Sequence, residues 1–223
     1  MIVSVVHAAA ENSPDAVLAE IDNFWDYNMQ GLGSANWQQR SKLLESILLE
    51  QQPTGTLLEL GSYCGYTAVR LGRLMNDDAM LVTIERDPLF AAIATKIVEH
   101  AGLSHKVKVL IGSLETQIER VAPKLGVARV DTVLLDQPSS PGSYLKDLQR
   151  LEAAGLIQHG AVAVCDTTVY PGDDFLLGIQ EYTDYMEAAS NWETKELQMG
   201  HPWGIKLGDE SPPQLLVSTF ASS

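Results

Sequence analysis

The chain has 223 residues and a mass of 24.3 kDa, with 45% hydrophobic residues, which is enough for one well-filled hydrophobic core. Its 29 acidic and 15 basic residues give a formal net charge of −14, which repels phosphate backbones and anionic lipid surfaces and excludes nucleic acid and membranes as expected partners. Two cysteines indicate no disulfide framework, and no segment approaches the ~20 apolar residues of a membrane span. We therefore expect a cytoplasmic protein with one domain over residues 1–223.

The segment before Pro53 has helical periodicity. It contains the stretches PDAVLAEIDNFWDYN and NWQQRSKLLESILLEQ, whose apolar positions recur at the spacing of one helix face. We expect residues 1–52 to form a helical cap that covers the sheet or overhangs its ligand edge.

From residue 56 onward, short apolar runs alternate with helical stretches. The runs predict strands at TLLEL, MLVTIE, VKVLIG, VDTVLLD and AVAVCD. Helices are predicted over 67–75, 88–100, 115–122, 143–153 and 173–189. This alternation is typical of a parallel sheet with helices on both faces, so we predict an α/β fold, a three-layer doubly wound sandwich. The last forty residues contain NWETKELQM, PWGIKLG and PQLLVSTF, which predict an antiparallel pair that finishes the sheet.

The turn after the first predicted strand has the features of a ligand site. Residues 57–70 read LLELGSYCGYTAVR, in which Gly61 and Gly65 allow a sharp turn and a close approach of the backbone to a ligand. The pattern E-x-G-x-x-x-G differs from the dinucleotide fingerprint, so we do not expect a pyrophosphate. Glu85 follows at the end of the next strand, where nucleotide sites place an acid for the ribose hydroxyls. The sequence therefore predicts a site for an adenosine without phosphates.

A plainer interpretation is that the two glycines only make a turn and that Glu85 is a solvated strand end. Two further strands also end in acids, Asp136 and Asp166. Because the carboxyl ends of parallel strands meet at one edge, the joint occurrence of these acids favours the ligand site.

Five segments resemble the catechol O-methyltransferase family, between about residue 15 and residue 177. They are LLELGSYCGYTAVRLGRLM, LVTIERDP, EHAGLSHKVKVLIGS, DTVLLD and GLIQHGAVAVCDTTVYPG. The resemblance implies a seven-stranded, mostly parallel sheet with an antiparallel C-terminal strand, S-adenosylmethionine as cofactor, and O-methylation of a small molecule.

The resemblance also implies the cofactor-binding residues, by matching motif positions. The methionine part would be surrounded by Glu59, Gly61, Tyr63, Gly65, Tyr66 and Thr67, with Asp136 beside them. The ribose would meet Glu85, and the adenine side would meet Arg86, Ser113 and Gln137. Tyr63 and Tyr66 fit equally well as aromatic packing residues, and both interpretations stay open here.

The catalytic positions depart from the family pattern. That pattern holds a magnesium ion with two aspartates and an asparagine, and it adds a lysine base and a late glutamate. Here Asp136 and Asp166 remain, Thr167 replaces the asparagine, and Ser139 stands in place of the lysine. Magnesium is therefore either held by Asp136, Asp166 and Thr167, with a weaker third ligand, or absent. We expect simple catechol to be a poor acceptor and chelators to have a limited effect.

The sequence also leaves open which residue is the base that activates the acceptor. A serine hydroxyl at Ser139 is too weak to remove a phenolic proton at neutral pH. The late glutamate has no clear counterpart, but QMGHPWGIK offers His201, whose imidazole suits a general base unless it is only a surface residue. With no cation between them, Asp136 and Asp166 would repel each other, and one would keep a proton at a raised pKa. Two alternatives follow: Asp136 or Asp166 acts as the base, or the acids only orient a carboxylic acid substrate that needs no base.

The acceptor is expected to be aromatic. Trp25, Trp37 and Trp203 lie in segments predicted to roof the substrate pocket, although core packing explains them nearly as well. We therefore predict an O-methyltransferase for a small aromatic molecule. Two alternatives remain, a cofactor-binding enzyme that catalyses a cyclisation or elimination without methyl transfer, and a non-catalytic binding homologue.

Overall fold

The computed structural model describes residues 2–28, 34–136, 143–167, 176–198 and 214–221. Four residues singled out from the sequence lie outside these ranges: Gln137, Ser139, His201 and Trp203. The side chain of Trp37 is not described either, although its backbone belongs to a helix.

Helices and strands alternate along most of the chain. The helices are α1 (Ile2–Val6), α2 (Pro14–Asn28), α3 (Ser34–Gln51), α4 (Tyr66–Gly72), α5 (Pro88–His100), α6 (Leu114–Leu125), α7 (Ser143–Ala153) and α8 (Leu176–Ala188). The strands are β1 (Thr56–Leu60), β2 (Met80–Glu85), β3 (Val107–Ile111), β4 (Val130–Leu135), β5 (Ile157–Asp166), β6 (Trp192–Gln198) and β7 (Gln214–Phe220). Within the described part of the chain, none of these helices combines the length and apolar character needed to cross a membrane.

The strands form one seven-stranded sheet in the order β3-β2-β1-β4-β5-β7-β6. Strands β1 to β5 pair in parallel, and β7 runs antiparallel to both β5 and β6. This confirms the predicted α/β sheet with an antiparallel C-terminal strand. The chain moves outward from β1 to β3 and then returns to β4 beside β1, so the direction of the connections switches between β1 and β4. Ligand crevices of open α/β sheets lie at such a switch point.

Two hydrophobic clusters cover the two faces of the sheet. Successive residues of β1 point to opposite faces, so Leu57 joins one cluster and Leu58 the other. Helices α2 and α3 contribute Ile21 and Leu44 to the cluster of Leu57, on the face that also carries α4 and α5. The first two long helices therefore pack onto the sheet, while the division of the chain at residue 52 stays a prediction.

Most element bounds follow from local signals. Helix α5 begins where predicted because the Asp87 carboxylate accepts the N–H groups of Leu89 and Phe90, and Pro88 suits the first turn. Strand β5 begins at Ile157, earlier than the predicted AVAVCD, because Ile157 already pairs with Val130, and the register shifts after that pair. Helix α1 was not predicted.

Candidate active site

Four acidic side chains converge at the carboxyl-terminal edge of the sheet. Glu59 and Glu85 stand near the ends of β1 and β2, and Asp136 and Asp166 stand at the ends of β4 and β5. Because these four parallel strands are neighbours, their carboxyl ends lie side by side. Burial raises the pKa of Glu59, and the charges of Asp136 and Glu85 add to this shift, which reflects their proximity. The edge is therefore strongly acidic.

The β1–α4 loop turns through three residues with positive φ. Gly61 has φ 103°, Gly65 has φ 83°, and Tyr63 adopts φ 45° although it is not a glycine. A Cβ atom at Gly65 would lie 3.0 Å from Cα of Ala94 in α5, so both the backbone conformation and the space require glycine. The loop is closed by Gly65 N–H, which donates to the carbonyl oxygen of Ser62 at 2.7 Å.

Glu85 ties this loop to the end of β2. One carboxylate oxygen accepts the backbone N–H of Tyr63 at 2.8 Å, and the other accepts the N–H of Asp87 at 2.9 Å. The first bond helps to hold Tyr63 in its unfavourable conformation. Each carboxylate oxygen keeps a second lone pair, so the side chain retains the capacity to accept a ribose hydroxyl. That ribose role stays a prediction.

Glu59 is a buried acid with one open oxygen. Its side chain is fully buried, and its Oε2 accepts the hydroxyl of Thr83 at 2.5 Å, which in turn lies 2.5 Å from the hydroxyl of Ser62. Oε1 is buried and has no hydrogen-bond partner among the described residues. Burial, reinforced by the charge of Asp136, raises the pKa of Glu59 to about 8. An unsatisfied carboxylate oxygen beside a glycine turn fits a ligand ammonium group, such as that of S-adenosylmethionine.

The two loop tyrosines make packing contacts. The Tyr63 ring has its centroid 4.4 Å from that of Phe90 and 6.3 Å from that of Trp25. The Tyr66 hydroxyl donates to Asp22 Oδ1 at 2.7 Å and accepts from Arg70 Nη1 at 2.7 Å. The buried Tyr66 ring is thus tied to protein groups, whereas Tyr63 remains 39% exposed beside its two ring neighbours, so its contact with a ligand stays a prediction.

The remaining predicted cofactor residues divide into three groups. Thr67 is buried in the first turn of α4, and Arg86 is exposed just beyond β2. Ser113 caps α6, because its hydroxyl accepts the Thr116 N–H while the Thr116 hydroxyl accepts the Ser113 N–H. Gln137 belongs to the third group, outside the described residues. The cofactor contacts of all these residues stay predictions.

The register of β4 and β5 places the two aspartates next to each other. Leu135 pairs with Cys165, so Asp136 and Asp166 follow on adjacent strands at the same level. The Tyr144 hydroxyl from α7 bonds to the backbone carbonyl oxygen of Asp166 at 3.2 Å and of Asp136 at 3.4 Å. This hydroxyl holds the two strand ends together beneath the site.

A guanidinium group bridges the two aspartates. Arg40 of α3 is fully buried, and its Nε donates to Asp166 Oδ2 at 2.5 Å while its Nη2 donates to Asp136 Oδ1. The premise that no cation lies between the aspartates is therefore wrong. Burial and the neighbouring Asp166 raise the pKa of Asp136 to about 6, against the opposing charge of Arg40.

The groups that surround the Asp136 and Asp166 carboxylates do not fit a magnesium ion. Magnesium requires near-octahedral oxygen ligands at about 2.0–2.1 Å, whereas one oxygen of each aspartate here receives a guanidinium N–H. Thr167, the third predicted ligand, follows directly after Asp166 and is half-buried. Within the described ranges, no group of three or more His, Cys, Asp or Glu side chains is arranged to hold a metal ion.

Arg40 is not among the residues predicted from the sequence, although the sequence contains a signal for it. It lies four residues before Leu44 and seven before Ile47, so it occupies the apolar stripe of α3. A basic residue on the buried face of a helix requires a buried acid nearby, because an unpaired charge is costly to bury. The sequence does not say which acid that is.

Comparisons with known proteins identify the family of this chain. The O-methyltransferase family model matches residues 32–182. Catechol O-methyltransferase from Sus scrofa is 39% identical over 183 residues, which cover 79% of this chain and 95% of the pig protein. Catechol O-methyltransferase from Bos taurus is 39% identical over 77% of this chain, but the match spans only 62% of the bovine protein. A Homo sapiens protein named transmembrane O-methyltransferase is 34% identical over 75% of this chain and 56% of its own length.

Solved structures show the same fold at lower identity. The Streptomyces achromogenes O-methyltransferase TomG, in complex with S-adenosylmethionine, superposes with a TM-score of 0.65 at 22% identity and covers 82% of this chain and 80% of its own. The family model covers more than half of the chain, and the pig relative is matched over nearly its whole length. The chain therefore belongs to the O-methyltransferase family and is a class I methyltransferase of the catechol O-methyltransferase type.

Proposed function

We propose that this protein transfers a methyl group from S-adenosylmethionine to an oxygen of a small aromatic molecule. The observation that carries the proposal is Glu59, a fully buried carboxyl group whose Oε1 has no partner among the described residues, next to a positive-φ loop at the topological switch point. The name of the bovine and pig relatives, catechol O-methyltransferase, supports an oxygen acceptor.

The acidic edge suits a cationic ligand. Glu59, Glu85, Asp136 and Asp166 contribute four acids, and Arg40 compensates for one of them in the described part of the site. S-adenosylmethionine carries a sulfonium, an ammonium and a carboxylate, so its net charge complements the acids that remain. When bound, it supplies an activated methyl group on the sulfonium.

The residues of this chain would bind and orient rather than react. Glu59 Oε1 accepts a hydrogen bond from an ammonium group and, once paired, keeps its charge in a buried place. Glu85 is held by two backbone N–H groups and offers its remaining lone pairs to hydroxyl groups. Fixing donor and acceptor at attack distance supplies most of the acceleration in such a transfer, because the remaining cost is largely entropic.

The aromatic acceptor is supported by a cluster of rings next to the loop. Trp25 of α2 lies against Tyr63, and the Tyr63 side chain remains 39% exposed. An exposed aromatic surface beside the cofactor loop offers stacking to a flat acceptor. The predicted contributions of Trp37, Trp203, Ser139 and His201 rest on the sequence alone.

Binding and product analysis test the proposal together. Isothermal titration of the purified protein with S-adenosylmethionine is expected to give a single site, which Glu85→Ala weakens. Glu99→Gln changes an exposed acid paired with Lys96, far from the loop in sequence, and serves as the matched control. Incubation with a panel of phenols is expected to release S-adenosylhomocysteine and a product heavier by one methyl group.

The same experiment separates the alternatives. A product without added methyl mass would indicate a cyclisation or elimination. Tight binding without turnover over the whole panel would indicate a non-catalytic homologue. Absence of binding heat with the wild type, together with no effect of Glu85→Ala on ligand retention, would contradict the proposal altogether.

A further inference from the structure

The pair of aspartates that the family pattern assigns to a metal ion is already neutralised in part by a residue of this chain. Arg40 reaches both carboxylates through two different nitrogens, and the partners are 96 and 126 residues away in sequence. The guanidinium is fully buried, so solvent does not compete for its charge. This arrangement differs from a surface ion pair, which a metal ion or water readily displaces.

The contact is supported on every side by packed structure. Asp136 and Asp166 are fixed by strand register and by the Tyr144 hydroxyl beneath them. Arg40 is fixed by its helix, because Leu44 and Ile47 on the same face belong to the hydrophobic core. The guanidinium therefore cannot swing away without opening the interface between α3 and the sheet.

We propose that the Arg40 guanidinium takes the place of a divalent metal ion between Asp136 and Asp166, so that this site works without a metal. A metal ion entering the pair would have to displace the guanidinium from both carboxylates or bind beside another positive charge. Arg40 is fully buried and is a positioning residue, since it compensates the charge of the two aspartates and orients their carboxylates.

The proposal also defines the acceptor, and this part rests on the proposed function. A metal ion can bind two neighbouring oxygens of a vicinal diol, whereas a buried guanidinium that is committed to two carboxylates cannot chelate a diol. Methyl transfer is therefore expected to proceed on an acceptor with a single acidic hydroxyl or carboxyl group, and the neighbouring hydroxyl of a catechol gives no advantage.

Metal binding is the direct test, and it needs no catalytic activity. Electron paramagnetic resonance of free Mn²⁺ is measured with wild type, Arg40→Ala, Arg40→Lys and Arg73→Ala. Arg73 pairs with Glu45 and serves as the matched control. Wild type, Arg40→Lys and Arg73→Ala are expected to leave the Mn²⁺ signal unchanged, with a Kd weaker than about 1 mM. Arg40→Ala is expected to bind Mn²⁺ at least about tenfold more tightly than wild type, because it leaves two adjacent carboxylates without a cation.

Two further variants keep the test decisive. Arg40→Ala combined with Asp136→Asn is expected to lose the gained Mn²⁺ binding. Wild-type binding that Asp136→Asn abolishes would overturn the proposal, and so would a folded Arg40→Ala protein that gains none. If Arg40→Ala does not fold, the wild-type measurement alone still decides, since binding at Asp136 contradicts the proposal and its absence supports it.

The acceptor is tested with a matched pair of compounds, a monohydroxy and a vicinal dihydroxy aromatic. Turnover of both is measured with EDTA and with added Mg²⁺. Turnover of the monohydroxy compound is expected in both conditions, with a change of less than about twofold between them. Chelator-sensitive methylation confined to the diol would overturn the proposal. Absence of any methyl transfer would count against the proposed function instead, while the Mn²⁺ result would still decide the role of Arg40.

Discussion

The two halves of the acidic edge are built in different ways. On the proposed cofactor side, the glycine turn and its acid Glu59 come from fourteen consecutive residues, 57–70, and Glu85 is added from the next strand. On the proposed acceptor side, Asp136 and Asp166 meet through strand register and are bridged by Arg40 from 96 and 126 residues away. The first half is a local motif, whereas the second is a long-range product of the fold.

The two halves also differ in how their buried acids are paired. Glu59 keeps one buried oxygen without a partner in the described chain, and burial raises its pKa to about 8. The two aspartates are instead paired inside the protein with a fully buried guanidinium. The proposed cofactor side therefore offers Glu59 Oε1 to a cation of the ligand, whereas on the proposed acceptor side Arg40 already supplies the cation.

Removing the internal cation is expected to give the largest effect. Arg40→Met keeps the bulk of the side chain but leaves Asp136 and Asp166 adjacent without a positive charge between them. Breaking a buried ion pair from one side costs about 3–5 kcal/mol, so the free energy of unfolding is expected to fall by about that amount. Urea denaturation near neutral pH measures the loss.

Arg73→Met is the control for this prediction. Arg73 pairs with Glu45 but its side chain is partly exposed, so the expected loss is below about 1 kcal/mol. Equal losses of unfolding free energy in the two variants would show that the Arg40 bridge contributes no more to stability than a partly exposed ion pair.

A substitution in the glycine turn is expected to give the second largest loss of stability. Gly65→Ala would place a Cβ 3.0 Å from Cα of Ala94 at φ 83°, so it combines backbone strain with a steric clash against α5. We expect a loss of about 2–4 kcal/mol in the free energy of unfolding, together with weaker cofactor binding. Gly155→Ala is a matched control, since φ is 69° there but nothing lies within 4 Å of the new Cβ. It is expected to cost only about 1 kcal/mol.

The difference between the halves also explains what the sequence could predict. The α/β sheet, the helix over 88–100 and the acids at the strand ends follow from periodicity, from a capping residue such as Asp87 and from the doubly wound pattern. The bridge by Arg40 does not follow, because a helix pattern shows that a residue is buried without naming its distant partner. The early start of β5 does not follow either, because residues 158–160 resemble a turn in the sequence, and the pairing of Ile157 depends on a distant strand.

The role of Glu59 Oε1 is tested by Glu59→Gln. Replacing a charge-assisted hydrogen bond by a neutral one is expected to weaken S-adenosylmethionine binding by about tenfold to hundredfold near neutral pH. With a pKa of about 8, Glu59 is mostly protonated in the free protein below that pH and must release its proton to pair with an ammonium. Wild-type affinity is therefore expected to rise with pH, by up to about tenfold per unit between about pH 5.5 and about pH 7.

The Glu59→Gln variant is expected to lose this part of the pH dependence. Titration calorimetry in buffers of different ionisation enthalpy counts the released proton directly. The free energy of unfolding of the ligand-free protein is expected to change with pH in the opposite direction, and urea denaturation at several pH values measures it. Because the pKa of Glu59 in the folded protein lies above the ordinary value of 4.5, its contribution to stability is fully present below pH 4.5 and is lost as the pH rises through about 8. An unchanged proton count in the variant would exclude Glu59 as the titrating group.

The smallest effect is expected from Tyr66→Phe, which sharpens the assignment of the cofactor half. The Tyr66 hydroxyl joins Asp22 of α2 to Arg70 of α4, and its ring is buried. Removing the hydroxyl breaks its hydrogen bonds to Asp22, Arg70 and Ser41, and the two charged groups remain partly solvated, so the expected loss is about 1–2 kcal/mol of unfolding free energy. S-adenosylmethionine affinity is expected to change by less than about twofold, since the loop backbone and Glu59 are untouched. A loss of affinity beyond about tenfold at unchanged stability would instead place the Tyr66 side chain among the ligand contacts, because a packing residue far from the ligand would lower stability first.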